Sequence, residues 1–451
     1  MTTTAQLPAT VRRSHFDGRV LTPGTPGYDS ARSVWNGMID HRPELIAQCA
    51  SVDDVVTAVR TARECDLEIG VRCGGHNIAG LAVPHGGFMA DLTKLARVTV
   101  DPVTRRARVQ GGAMLGALDR ATQPFGLATT AGNVSHTGVG GLTLGGGMGW
   151  LARQYGLTCD NVASYTVVTA DGDVVRASAD EHPDLFWGLR GGGGNFGIVV
   201  EFEFRLHPVG TRALAVELTF PLDRAAAALR GWRDLAEEAA RQATPTADIR
   251  GDTATLGYVW VGDPEEGRAM LPALRSVGVP DGEVVRELSY TELQTRDDSI
   301  EGHAYRRYWK GHYLPELSDD AIAALVDRDP ADATLPGVSL QAYGGAIADV
   351  DDDATAFSHR HTRFEYVAAV KWSDPGEDGL RMGAARRAAA KLEPFAVGAY
   401  VNALSDEGAP GVRRAYSEAK RARLTAVKDA YDPGNVFHLN HNIAPAGRCD
   451  R

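Results

Sequence analysis

Residues 70–80 read GVRCGGHNIAG. The apolar run LEIGV ends at Arg72, and two glycines and a histidine follow at once. Consecutive glycines let the backbone take positive φ and approach a neighbour closely, and a turn gives His76 little to pack against. The stretch reads as a buried strand that opens onto a ligand, with bare backbone and an imidazole side by side.

Working outward, RPELIAQCA is short and apolar, and Ser51 then caps VDDVVTAVRTARECD, whose Asp53 and Asp54 sit in the first turn where the helix dipole favours acids. Downstream, GFMADL reads as a strand, VTVDPVTRRARVQGG as a hairpin about Asp101-Pro102, and MLGALDRATQPFGL as a helix ending near Gly126. ASYTVVTADGDVVRAS is a hairpin closed by Asp171-Gly172, HPDLFWGLR a short helix, and IVVEFEFRLHP an alternating strand that stops at Pro208.

The pattern changes after 209. ALAVELTFPL is a strand, a helix runs from Asp223 to about Arg241, and ATLGYVWV precedes a helix capped by Asp263 with Pro264 at its first position. Later strands are VSLQAYGGAIADV and FEYVAAVKW; beyond 396 come a strand in VGAYVNAL, a helix from Pro410 to Ala430, and YDPGNVFHLNHNI. Strands followed by helices on one side predict an antiparallel sheet backed by helices. The expected organisation is an α+β chain with a first domain at 1–208, a second at 209–395, and a return of 396–451 to the first.

The chain has 451 residues, 43% hydrophobic and 23% charged, with a net charge of −11. That charge argues against nucleic acid and against an anionic membrane surface as partners. No run of apolar residues is long enough to span a bilayer, and MTTTAQLPATVRRSHFDGRV lacks the apolar core of an export leader, so a cytoplasmic protein is expected. The five cysteines (Cys49, Cys65, Cys73, Cys159, Cys449) are odd in number and widely spaced, which argues against a disulfide framework or a zinc site. The pairs in HRH (359–361) and HLNH (438–441) have no partners placed for a metal and read as structural.

Of 51 glycines, the densest patch is GNVSHTGVGGLTLGGGMG, residues 132–149, and the next is GGGGNFG, 191–197. Large apolar residues interleave with the first, which suits tightly packed backbone near a flat or phosphorylated ligand. GGGNFG matches G-x-G-x-x-G literally, but a helix precedes it and a strand follows, the reverse of a dinucleotide-binding turn. No P-loop motif is present. Successive backbone N–H groups in RCGGHN or SHTGVGG can still cradle a pyrophosphate. Alone, His76 and Cys159 would read as structural, Cys159 as a small buried hydrophobe.

VRCGGHN (71–77), GVGGLTLGGGMGW (138–150), GLTCDN (156–161), GNFGIVV (194–200) and YDPGNVFHLNHNI (431–443) together resemble the FAD-linked oxidases of the vanillyl-alcohol oxidase type, in their berberine-bridge-enzyme-like branch. The resemblance runs in order through nearly the whole chain. It implies a two-part FAD-binding domain and a substrate domain whose sheet covers the flavin. It implies covalent FAD, bonded through His76 to the 8α-methyl carbon and through Cys159 to C6; the nicotine-oxidase-like members lack that Cys. Arg72, Gly74, Gly75 and Asn77 are expected around the pyrophosphate, with Ser135, Thr137, Gly138, Gly140 and Gly141 on its other side. Gly145, Gly146 and Gly149 would pass near the ribityl and adenine parts, Gly197, Ile198 and Val199 would form the adenine-side strand, and Asn440 and Asn442 would meet the pyrimidine edge.

Many relatives carry a Tyr base shortly after a YVN-like strand; here that place is Ala403, and a second commonly aromatic place is Arg421. The nearest replacement is Tyr343, with Tyr400, Tyr308, His312 and Glu365 as further candidates for the catalytic base. YRRYWKGHY (305–313) reads as an amphipathic strand, and less strongly as an aromatic substrate lining or a nucleic-acid stacking platform. The expected activity is oxidation of a small organic alcohol or amine by hydride transfer to the flavin, with O2 as electron acceptor. An oxidative cyclase or rearrangement enzyme, an NAD-dependent dehydrogenase and a non-catalytic binding protein remain as alternatives.

Overall fold

The computed structural model describes residues 16–298 and 305–447. Most of the N-terminal segment read for a leader, and Cys449, lie outside the described residues. Four strands, β1 (Arg19–Leu21), β2 (Leu45–Gln48), β3 (Ile69–Arg72) and β4 (Phe88–Asp91), make a small sheet in order β1-β2-β4-β3. The pairs β2/β4 and β3/β4 are parallel. The crossover between β2 and β3 is the helix Val52–Glu64, and the Ser51 side chain accepts a hydrogen bond from Asp54 N as its cap.

Next come β5 (Val98–Asp101), β6 (Arg106–Gln110), the two-residue β7 (Leu127–Ala128), β8 (Val162–Val168), β9 (Val174–Ser178) and β10 (Ile198–Arg205). Strand β7 pairs with β11 (His207–Pro208), and the other five form an antiparallel sheet in order β5-β6-β10-β8-β9.

The second region is one seven-stranded antiparallel sheet. Its strands are β12 (Arg212–Pro221), β13 (Ala243–Arg250), β14 (Thr253–Val261), β15 (Gly282–Ser289), β16 (Arg306–Leu314), β17 (Gly337–Ala342) and β18 (Phe364–Trp372), in order β15-β12-β14-β13-β17-β18-β16. Side chains alternate between its faces. One face packs Leu214, Val216, Leu256, Leu340 and Phe364 against helices, with Trp232 of the helix Leu222–Glu238 fully buried among them. The other face, carrying Trp309, Tyr313, Gln341 and Glu365, turns towards the first region. Tyr313 joins the core that also holds Phe196, Tyr400, Leu424 and Ile443, so the C-terminal segment packs within the first region's core.

Three local expectations are corrected. VGAYVNAL is not a strand: it makes one bridge, Gly398 to Tyr313, and a 3-10 turn at Val401–Ala403, within which Asn402 Nδ2 donates to Leu142 O at 3.2 Å. The helix read from Pro410 to Ala430 is two, Gly408–Ala415 and Glu418–Tyr431. Tyr416 turns extended between them, and the Ser417 side chain caps the second by accepting from Lys420 N. The strand read over VSLQAYGGAIADV ends at Ala342, and Ala346–Asp349 is a short helix.

Candidate active site

A cavity of about 340 Å³ lies between the first region and the face of the seven-stranded sheet that carries Trp309 and Glu365. Three glycine loops build its wall. The loop after β3 contributes Gly74, Gly75, His76 and Asn77; the second contributes Thr137, Gly138, Gly140 and Gly141. The third runs from Gly192 into the start of β10, with Gly197, Ile198 and Val199. The C-terminal segment adds Tyr400, Ala403, Asn440 and His441, and the sheet adds Trp309, Glu365 and Val367.

Glycine is required where the first two loops cross. A Cβ on Gly138 would collide with Gly74 N and Cys73 Sγ, and one on Gly74 with Gly138 N. Gly75 takes φ +69°, a conformation that L side chains rarely adopt. By contrast, a Cβ on Gly141 meets nothing within 4 Å.

His76 stacks on Trp35 with ring centroids 4.8 Å apart, and its Nε2 lies 2.6 Å from His136 Nδ1. Thr137 Oγ1 is 3.4 Å from His76 Nδ1. Burial, reinforced by His136 and the Arg307 cation, drives the His76 pKa down to about 3, so the ring is neutral at working pH. His441 is likewise held neutral by burial, at about 4, and its Nε2 is buried without a partner among the described residues.

Glu365 is the carboxylate of the cavity wall. Tyr343 Oη donates to its Oε2 at 2.7 Å, and burial pushes its pKa up to about 7 despite that bond. Tyr400 also lines the cavity, but its hydroxyl accepts from Gly147 N and from Asn402 Nδ2, each at 2.9 Å, and burial raises its pKa. Ala403, the place of the missing phenol, is on the wall as well.

Several residues expected at the site stand outside the cavity wall. Cys159 is fully buried in the core outside the cavity wall, with Sγ 3.8 Å from Asp160 Oδ1, and burial together with that carboxylate raises its pKa. A thiol so held stays protonated, and it lines no part of the cavity. The cysteine on the wall is Cys73, whose pKa burial pushes up to about 11. Tyr343 stands behind Glu365 rather than in the wall. His312 lies on the helix-backed face of β16, stacked on Tyr366, with Nε2 donating to Ala389 O and Nδ1 accepting from Arg414. Its one-residue offset from Tyr313 is what turns it away.

Outside the wall too, Arg72 donates to Ala31 O, while Ser135 N and Oγ both donate to the Asp298 carboxylate at 2.8 and 2.6 Å. Gly145, Gly146 and Gly149 are packing glycines, closed against Asn402, Phe357 and Ala131. Asn442 is not in the wall, whereas Asn440 is, donating to Gly194 O at 3.1 Å. The residue-level reading missed His136, Trp309 as a named wall residue, and His441, which had read as structural. HLNH closing the C-terminal motif was a usable signal for His441; nothing local distinguished His136.

The wall fits a flavin dinucleotide. Bare backbone at the crossed loops, open space above Gly141, a neutral imidazole and an unused His441 nitrogen offer what a planar ring and a phosphate chain need. Among the described residues, no helix is long and apolar enough to cross a membrane, and no group of three or more His, Cys, Asp or Glu is placed to hold a metal.

Comparison with known proteins agrees with this fit. Residues 43–178 match an FAD binding domain, and 399–444 match the family described as berberine and berberine like. The chain is 32% identical to (R)-6-hydroxynicotine oxidase of Paenarthrobacter nicotinovorans over 450 residues, covering 96% of this chain and 98% of that protein. The crystal structure of 6-hydroxy-D-nicotine oxidase from Arthrobacter nicotinovorans superposes with TM-score 0.85 at 30% identity, covering 95% and 98% of the two chains. Glucooligosaccharide oxidase from Acremonium strictum, described with a 6-S-cysteinyl, 8α-N1-histidyl FAD, gives 0.87 at 25% identity over 96% and 98%. The glycine loops, the cavity they line and the full-length likeness together make this chain an FAD-linked oxidoreductase that belongs to the berberine-like oxidase family.

Proposed function

We propose that the protein is an oxidase that holds FAD covalently through His76 alone and dehydrogenates a carbon bearing nitrogen or oxygen in a small organic molecule. The observation that supports this is that Glu365 lines the same cavity as the glycine loops and His76, in a wall whose two histidines are neutral. The relatives' names point the same way, to a nicotine derivative and to oligosaccharides.

FAD, when bound, would supply a two-electron acceptor for the substrate's hydride, with O2 as the terminal acceptor. The chain's residues do the rest. The crossed loops would hold the phosphates on backbone N–H groups, and neutral His76 would be the nucleophile available for a tether. Glu365 takes the substrate's N–H or O–H proton, filling the role that a phenol at position 403 would otherwise serve. A carboxylate titrating near neutrality is suited to general-base work, which typically contributes about 10²–10⁴-fold. Trp309 and Val367 give the substrate side an apolar, aromatic boundary.

The test is acid precipitation followed by intact mass. Wild type and Cys159→Ala should both retain the mass of FAD, and His76→Ala should lose it. Retention in His76→Ala would disprove the single tether. Turnover should release one H2O2 per substrate oxidised; turnover without peroxide would instead indicate oxidative cyclisation or rearrangement.

A further inference from the structure

Strands β17 and β18 pair with Gln341 opposite Glu365, and the ladder continues one step through Tyr343 N, which donates to Arg363 O at 2.8 Å. Alternation then places Tyr343, Gln341 and Glu365 on one face of the sheet, with Tyr343 diagonal to Glu365 and within side-chain reach. Tyr343 is buried, 1% exposed, and cannot meet a substrate. Its ring is fixed edge-on to Tyr313 at 5.4 Å, and its carbonyl is gripped by the Arg153 guanidinium, which also bonds Ala243 O and Ala239 O. The phenol therefore has one position, and from it donates to Glu365 Oε2 at 2.7 Å.

We propose that Tyr343 is a positioning residue for Glu365, holding one carboxylate oxygen so that the other faces the cavity and receives the substrate's proton. This rests on the reading of Glu365 as proton acceptor. The titratable neighbours of Glu365 are Tyr343, Tyr313 and Tyr400, and no Lys or Arg forms an ion pair with it among the described residues. With no cation in place, the phenol hydrogen bond is the contact that favours the charged carboxylate against burial. The chain thus keeps a half-buried Glu ionisable near neutrality with a neutral donor.

The titration that tests the pairing needs no substrate. Difference infrared spectra of the holoprotein between acid and alkaline pH report the carboxylic C=O band of a titrating carboxyl group. All spectra are taken on an Asp119→Asn background, because that buried carboxyl also titrates near 7; there the chain with Glu365 should show a band with a midpoint near pH 7 that is absent once Glu365→Gln is added. In Tyr343→Phe that midpoint should rise by about one pH unit, a tenfold change in acid constant. The acid limb of substrate-driven flavin bleaching should move with it. A midpoint unmoved in Tyr343→Phe overturns the proposal, even if the variant melts lower, since a merely structural phenol would affect only melting. A band that survives in Glu365→Gln overturns it as well. A band that behaves as expected while Glu365→Gln bleaches at the wild-type rate would leave the pairing intact and sink the acceptor role.

Discussion

At the scale of single residues, the site depends on two kinds of constraint, one steric and one electrostatic. Gly138 exists because another backbone occupies the place of its Cβ. Gly138→Ala should push the loops of Gly74 and Gly138 apart and cut FAD loading at least several-fold, read as flavin absorbance per protein. Glu365→Gln removes a proton acceptor of nearly the same shape. It should keep full FAD content yet slow anaerobic flavin reduction by roughly 10²–10⁴-fold; a rate within a few-fold of wild type would reassign the base.

At the scale of elements, two buried ionisable contacts join segments distant in sequence. Asp119, on the helix Leu115–Thr122, accepts from Gln294 of the helix Tyr290–Thr295 at 3.2 Å, and burial raises its pKa to about 7. A carboxyl group raised above its unfolded value, about 4, contributes stability that is fully present below pH 4 and is lost as pH rises through about 7. Asp119→Asn should therefore raise the melting temperature at pH 8 and leave it nearly unchanged at pH 4, an effect on the order of a few kcal/mol. Equal shifts at both pH values would mean that ionisation is not the cause. The fully buried pair Lys428–Asp432, 2.6 Å apart, closes the end of the helix Glu418–Tyr431, and Lys428 also donates to Asn195 O at the glycine loop. Asp432→Ala strands that ammonium and should cost about 3–5 kcal/mol in denaturant unfolding.

At the scale of the whole molecule, the cavity belongs to neither region alone: glycine loops and His76 come from one, Glu365 and Trp309 from the other, and Tyr400 and His441 from the returning C-terminus. Its pH dependence follows from that assembly. The working form of Glu365 is the carboxylate, so kcat/KM should rise with pH and level off above about 7. His76 and His441, at about 3 and 4, stay neutral throughout and should add no second limb. An acid limb that persists unchanged in Glu365→Gln would assign it to another group.

What the residues determined by themselves was local. Alternation in FEYVAAVKW, the caps at Ser51 and Asp263, and the glycine pairs before His76 each act within a few neighbouring residues, and these elements form where the patterns place them. The glycine-loop positions of the site were legible for the same reason. Only the tertiary structure decided which reactive side chains face the cavity. Cys159 sits in a motif as suggestive as that of His76, yet core packing turns it inward. His312 and Tyr313 differ by one residue and stand on opposite faces of β16. Tyr343 and Glu365, 22 residues apart, acquire their relation from strand register. A side chain's chemistry is set by its own atoms, but its access to a ligand is set by segments that meet it only when the chain closes.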